Sequence, residues 1–209
     1  SEQVHVKRFD ISNPKKPTLV SDFAQSGCYL NSYVVNDMLY LIGAYSIWLP
    51  EEANGSSYVP YTAKNGENTV LDAEQIYICP GMDSTDYTVV SAYDLSAGET
   101  TNTVAMTGYN VWNTTDGESL YLGRTSYDYD LGEAYEKDQY AVNDLSYSAN
   151  TELLRVKMDS SLEILASSCV AGYLHDQSAM ALADGELYLA TTCTGYTCQI
   201  FTDEKYGFT

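Results

Sequence analysis

The chain has 209 residues, and its 10 Lys and Arg are set against 29 Asp and Glu, for a net charge of −19. Phosphate backbones and anionic bilayers are held by cationic surfaces, so nucleic acid and acidic membranes are poor partners, while metal cations, basic partners and neutral glycans stay open. No run approaches the roughly 18 apolar residues of a membrane span, yet 44% of the residues are apolar, enough for a sizeable core.

In chain order, Ser1-Glu2-Gln3-Val4 begins directly in strand-like sequence with no basic-then-apolar leader, as expected either of a protein that is not exported or of a piece cut from a larger exported one. Val4-His5-Val6-Lys7-Arg8-Phe9-Asp10-Ile11 reads as a strand ending in Asp, with His5 on a sheet face. Ser12-Asn13-Pro14 is a turn, Thr18 to Phe23 a second strand, and after Gly27 a third strand runs from Tyr29 to Val35. Asn36-Asp37 then turns the chain into Leu39-Tyr40-Leu41. Residues 46–86 read as an insertion holding Glu51-Glu52 and Tyr58-Val59-Pro60-Tyr61. Long insertions in compact domains often carry function, which makes Tyr58 and Tyr61 candidate binding residues.

The same order of features returns twice. Tyr87 to Leu95, Gly108-Tyr109 and Leu120-Tyr121-Leu122 form a second unit; Leu153 to Asp159, Gly172-Tyr173 and Leu187-Tyr188-Leu189 form a third. The hairpin turns are Asp116-Gly117 and Asp184-Gly185. Between the second and third units lies a second insertion, 125–150, whose Tyr127-Asp128-Tyr129-Asp130 puts two tyrosines on one strand face and two carboxylates on the other. Those four are candidate binding residues, and Asp128 and Asp130 are the candidate Ca²⁺ ligands; no other cofactor is suggested. His175, next to Asp176, is a further candidate at a polar edge.

Matching internal spacing with variable connections is the signature of a structural repeat. Each unit reads as a four-stranded antiparallel meander, closed by its Leu-Tyr-Leu strand. Tandem meanders of this kind build a β-propeller, so the expected fold is all-β, with blades near 4–46, 87–125 and 150–193. Three blades cannot close a ring of 4 to 8, which makes this a fragment of a larger propeller with exposed blade faces prone to self-association.

Twenty Tyr against four Phe suits half-exposed strands and resembles the make-up of extracellular binding surfaces. Of five cysteines, Cys193 and Cys198 flank a short loop and could form a disulfide. There is no Cys/His cluster, nucleophile elbow, phosphate loop or dinucleotide fingerprint.

The stretch from Phe9 through Pro14 and Pro17 to Val20 resembles the blade opening of the secreted bacterial proteins with a C-terminal β-propeller, a family distantly similar to WD40 repeats. Gly27-x-Tyr29-Leu30-Asn31-Ser32, Ile76 to Gly81 before Tyr87 to Ala92, and Gly172-Tyr173-Leu174 before Leu187 to Thr192 are similar to the same family. His175-Asp176-Gln177 departs from the apolar or amide-rich stretch expected there. The resemblance implies an extracellular or cell-surface location and no reaction. The expected function is non-catalytic binding of a protein or glycan. The alternative is a hydrolase or lyase using convergent carboxylates with a divalent cation.

Overall fold

The computed structural model describes residues 2–47, 58–79, 84–108, 112–137, 140–203 and 207–208. Its regular structure is almost entirely strand. In chain order the strands are β1 (Gln3–Asp10), β2 (Thr18–Ser26), β3 (Cys28–Val35), β4 (Met38–Ser46), β5 (Tyr61–Lys64), β6 (Glu67–Val70) and β7 (Ile76–Tyr77). Next come β8 (Asp86–Asp94), β9 (Glu99–Thr107), β10 (Trp112–Thr115), β11 (Ser119–Leu131), β12 (Tyr135–Lys137), β13 (Tyr140–Lys157) and β14 (Ile164–Ala171). The last are β15 (Tyr173–Leu174), β16 (Met180–Ala183), β17 (Glu186–Leu189), β18 (Thr191–Thr192), β19 (Gly195–Asp203) and β20 (Gly207–Phe208).

Strand pairing corrects the expectation that each repeat is a meander in its own right. In the first sheet the order is β1-β2-β5-β6, and in the second it is β3-β4-β8-β9-β7. The third sheet is built on β10, β11, β13 and β14, with β12, β19 and β20 added to it. Each Leu-Tyr-Leu strand with a neighbour on both sides therefore pairs with the first strand of the following unit: β4 with β8, and β11 with β13. The expected blade 4–46 is split between two sheets, and the expected blade 87–125 is split in the same way.

Three glycines explain the split. Gly27, Gly108 and Gly172 have φ of 104°, 99° and 90°, a region that costs side-chain-bearing residues dearly. Each donates its N–H to a carbonyl where the pairing with the first strand stops: Glu2 at 2.9 Å, Asp86 at 2.7 Å and Ala149 at 2.8 Å. That bond ends the two-strand pairing, and the left-handed kink sends the chain across to the next sheet. Thr88 and Thr151 fasten the kink by donating their hydroxyls to the Gly108 and Gly172 carbonyls at 2.8 and 2.7 Å. The glycines also lie close to the next sheet. A Cβ on Gly27 would stand 2.2 Å from the Ala44 carbonyl oxygen, and one on Gly172 would stand 2.8 Å from that of Thr192.

The sheets stack face to face. Tyr40, Ile42, Val90, Ala92 and Met106 of the second sheet pack on Leu120, Leu122, Leu154 and Val156 of the third, forming the main core. Complete burial of a side chain of this size stabilises by about 1.5–3 kcal/mol. On its other face the second sheet meets the first, where the rings of Tyr93 and Phe23 lie 6.0 Å apart and Tyr93 shares a hydrogen bond of 3.1 Å with Ser21. The edge strands are linked by amides. Asn31 of β3 donates to the Asn113 side chain of β10 at 2.8 Å, and the Asn113 N–H donates to Gln177 at 3.1 Å. Gln177 thus supplies an amide within the stretch where the sequence departs from the expected pattern.

Neither insertion is a detached loop. In residues 46–86, Asn65-Gly66 (φ 51° and 89°) turns the β5–β6 hairpin, which extends the first sheet. Residues 125–150 lengthen β11 and β13 into one hairpin paired continuously from Ser119↔Lys157 to Leu131↔Leu145. The expected Cys193–Cys198 disulfide is absent, and both thiols are free and exposed. The reason is strand geometry: β19 is extended from Gly195, and Cys198 is registered with Leu145. Extended chain advances about 3.3 Å per residue, which carries Cys198 beyond the Cα separation of about 4.4–6.8 Å that a disulfide needs. Among the described residues no helix is long and apolar enough to cross a membrane.

Candidate binding face

The extended β11–β13 hairpin brings together residues that no single stretch of sequence contains. Alternation along β11 sets Tyr127 and Tyr129 on one face and Asp128 and Asp130 on the other. The register then adds partners from two more strands: Tyr129 lies opposite Tyr147 of β13, and Tyr147 opposite Tyr196 of β19. The result is a row of three tyrosines straight across three strands, with Tyr127 beside it.

Ring centroids are 5.9 Å apart for Tyr129–Tyr147, 5.2 Å for Tyr147–Tyr196 and 6.2 Å for Tyr127–Tyr147. Aromatic pairs at such distances contribute about 0.5–1.5 kcal/mol beyond burial. The row nevertheless stays open to water: Tyr127 is 50% exposed, Tyr129 66% and Tyr196 56%. Desolvation pushes the central Tyr147 hydroxyl above its usual pKa, and the flanking Tyr196, Tyr129 and Tyr127 add to the shift. The face is a flat, uncharged, amphipathic strip.

On the opposite face, Asn150 donates to Asp128 at 2.6 Å. Asp128 also borders a cavity of about 370 Å³ with Glu152, Cys79, Cys169 and Leu153. The charge of Glu152 is already matched there. Arg124, 3% exposed, donates Nε to its carboxylate at 3.0 Å, makes a second contact through Nη2, and donates Nη1 to the Thr107 carbonyl at 3.0 Å. Burial pushes the Cys79 thiol up. Among the described residues, no three His, Cys, Asp or Glu side chains are placed to hold a metal ion together.

The other sequence candidates lie apart from this strip. Tyr61 belongs to β5; its ring is 6.4 Å from that of Tyr45, and its hydroxyl accepts from Gln3 Nε2 at 3.2 Å, so it packs the first sheet. Tyr58 is exposed just ahead of β5. Glu51 and Glu52 lie outside the described residues. His175 is exposed between β15 and β16, beside Asp176, which accepts the Ser178 N–H at 2.8 Å. His5 is paired with Asp22 at 2.7 Å on the β1–β2 sheet. Sequence reasoning missed Tyr147 and Tyr196, whose only local signal is a tyrosine within strand-like sequence.

Successive sheets built on four antiparallel strands and packed face to face, with a glycine kink leading into the second and the third, are the architecture of a β-propeller. The chain belongs to the family described as beta propeller domain, which it matches over residues 1–207. No curated protein and no solved structure matches it.

Proposed function

We propose that the chain is part of an extracellular or cell-surface propeller that binds a protein partner, without catalysis, through the tyrosine row of the β11–β13–β19 hairpin. The row itself carries this reading: four tyrosines, three of them at least half exposed, side by side across three strands. Tyrosine gives large contact area at low entropic cost, which is why binding surfaces accumulate it. The Tyr147 and Tyr196 rings stack on each other at 26°, which commits those two faces to one another and supports a protein rather than a glycan partner. The net charge of −19 favours a partner with a basic surface. The resemblance to secreted bacterial propellers supports the location.

The test is a peptide-display selection run beside a glycan array on the 209-residue chain, each repeated with Tyr129→Ala and Tyr196→Ala. Selected peptides are expected to carry Lys or Arg and to lose about tenfold or more in affinity to each variant, as truncated tyrosine hot spots do. Ligands indifferent to both substitutions contradict the proposal. Glycan binding that depends on them replaces the partner class.

A further inference from the structure

All five cysteines are free, so no disulfide fastens the long hairpin to the strand that returns along it. β19 joins β13 through a ladder that runs from Ala141↔Thr202 to Ser148↔Gly195. Tyr147↔Tyr196 is the pair next to the end at which β19 enters. Element ends open at the lowest cost in free energy. The tyrosine row therefore stands where this ladder is least secured.

Residues directly opposed on one sheet face carry their Cβ atoms about 4.5–5.5 Å apart. The register thus sets Tyr147 against Tyr196, with ring centroids at 5.2 Å and planes inclined by 26°. Within the row this is the closest pair. Tyr129–Tyr147 stands at 5.9 Å, Tyr127–Tyr147 at 6.2 Å and Tyr127–Tyr129 at 6.3 Å. In the first two sheets, Tyr45 is 6.4 Å from both Tyr61 and Tyr87.

Tyr127, Tyr129 and Tyr196 are exposed, so an oxidant in solution reaches their rings without any opening of the fold. Tyr147 has a ring contact with each of them. A phenoxyl radical formed on any exposed ring of the row therefore has Tyr147 as a neighbour. Tyr196, being exposed, has room to turn its ring edge toward that of Tyr147.

We propose that the Tyr147–Tyr196 pair is a site of oxidative cross-linking, coupled to dityrosine when the chain meets hydrogen peroxide and a haem peroxidase. Each phenol gives up one electron and its hydroxyl proton. The two radicals join through ring carbons ortho to oxygen, and the protons displaced from those carbons return to the oxygens. One carbon–carbon bond forms, two hydrogens are lost, and one peroxide is reduced to two waters. The new bond ties β19 to β13 and encloses residues 148–195, with β14 to β18, in a covalent loop. Closing so long a loop restricts the unfolded chain, as a disulfide does. Cys198 lies on the same face as Tyr196 and near the Tyr147 hydroxyl. Thiols reduce phenoxyl radicals, so Cys198 opposes the coupling.

The test treats the 209-residue chain with hydrogen peroxide and a haem peroxidase, then maps the products by tandem mass spectrometry. The expected product is monomer-sized, shows dityrosine fluorescence, and yields one dominant peptide pair joining positions 147 and 196. Tyr147→Phe and Tyr196→Phe keep the ring and remove the phenol; each is expected to abolish that pair with unchanged far-UV circular dichroism. Cys198→Ser is expected to raise its yield. The linked chain is expected to unfold at a higher urea concentration than the untreated one. Absence of dityrosine from both the parent and Cys198→Ser overturns the proposal. Links placed mainly at Tyr45, or found only in covalent dimers whose yield rises with concentration, overturn it as well. A 147–196 link that leaves the urea midpoint unchanged removes the role as a staple. None of these readouts depends on whether the row binds a partner.

Discussion

Asp10, Asp94 and Asp159 each end the first strand of a repeat by accepting a backbone N–H two residues on, at 2.8 Å from Ser12, Ser96 and Ser161. The bond with Ser12 holds the Asp10 carboxyl below its usual range. Asp159 is held further below, mainly by Lys157 at 2.7 Å and then by Ser161. For groups whose pKa is depressed in the folded state, the stabilisation is complete above the unfolded value near 3.9 and is lost as pH falls below it. Urea midpoints are therefore expected to hold between pH 7 and 5 and to decline below about pH 4. Asp159→Asn should lower the neutral midpoint and flatten that decline. A second prediction concerns Gly172, whose φ of 90° and close approach to Thr192 exclude a Cβ. Gly172→Ala should destabilise by about 1–3 kcal/mol in a urea titration. A third concerns the buried Arg124: Glu152→Ala removes the carboxylate that its Nε and Nη2 contact and should cost about 1–3 kcal/mol, more than Glu152→Gln. The aspartates and glycines were legible in the sequence because each answers to a local backbone requirement. Arg124–Glu152 was not, since the two residues meet only once β11 and β13 are in register.

At the scale of elements, the long hairpin divides into two parts. Leu120, Leu122, Leu154 and Val156 fill the core, whereas Tyr127, Tyr129, Leu131, Tyr135 and Tyr140 are exposed, and Val142 is buried within the extension, outside the main core cluster. Replacing residues 127–147 by a two-residue Asn-Gly turn should leave a cooperative fold, with a circular dichroism melting temperature within a few degrees of the parent. Amides of β19, whose partner is the removed part of β13, should lose protection from hydrogen exchange. A collapse of the whole fold would show the extension to be part of the core. The Tyr-Asp alternation of this region could be read from period two alone. The tyrosine row could not, because Tyr196 reaches it only after the chain has built β15 to β18 and returned. The Asn65-Gly66 hairpin illustrates another limit: its turn signal lies within residues 46–86, where the surrounding polar sequence gives little strand pattern.

For the whole molecule, the repeat is correct in content and offset in space. A run of four strands that are neighbours in sequence invites pairing in that order, and the repeat was read accordingly. The glycine kink between the second and third strands carries the missing information: it marks where one blade stops and the next begins. The same offset places β1 and β2 in one sheet with β5 and β6, and leaves β15 to β18 paired among themselves. The offset is tested most directly by cross-strand Hα–Hα contacts in nuclear magnetic resonance spectra of the deuterated, selectively protonated chain. A ladder joining β4 to β8 and β11 to β13, in the registers Leu41↔Ser91 and Leu122↔Leu154, is expected, with none joining β2 to β3. A continuous ladder from β2 to β3 would contradict the account and restore the blade to the boundaries of the sequence repeat.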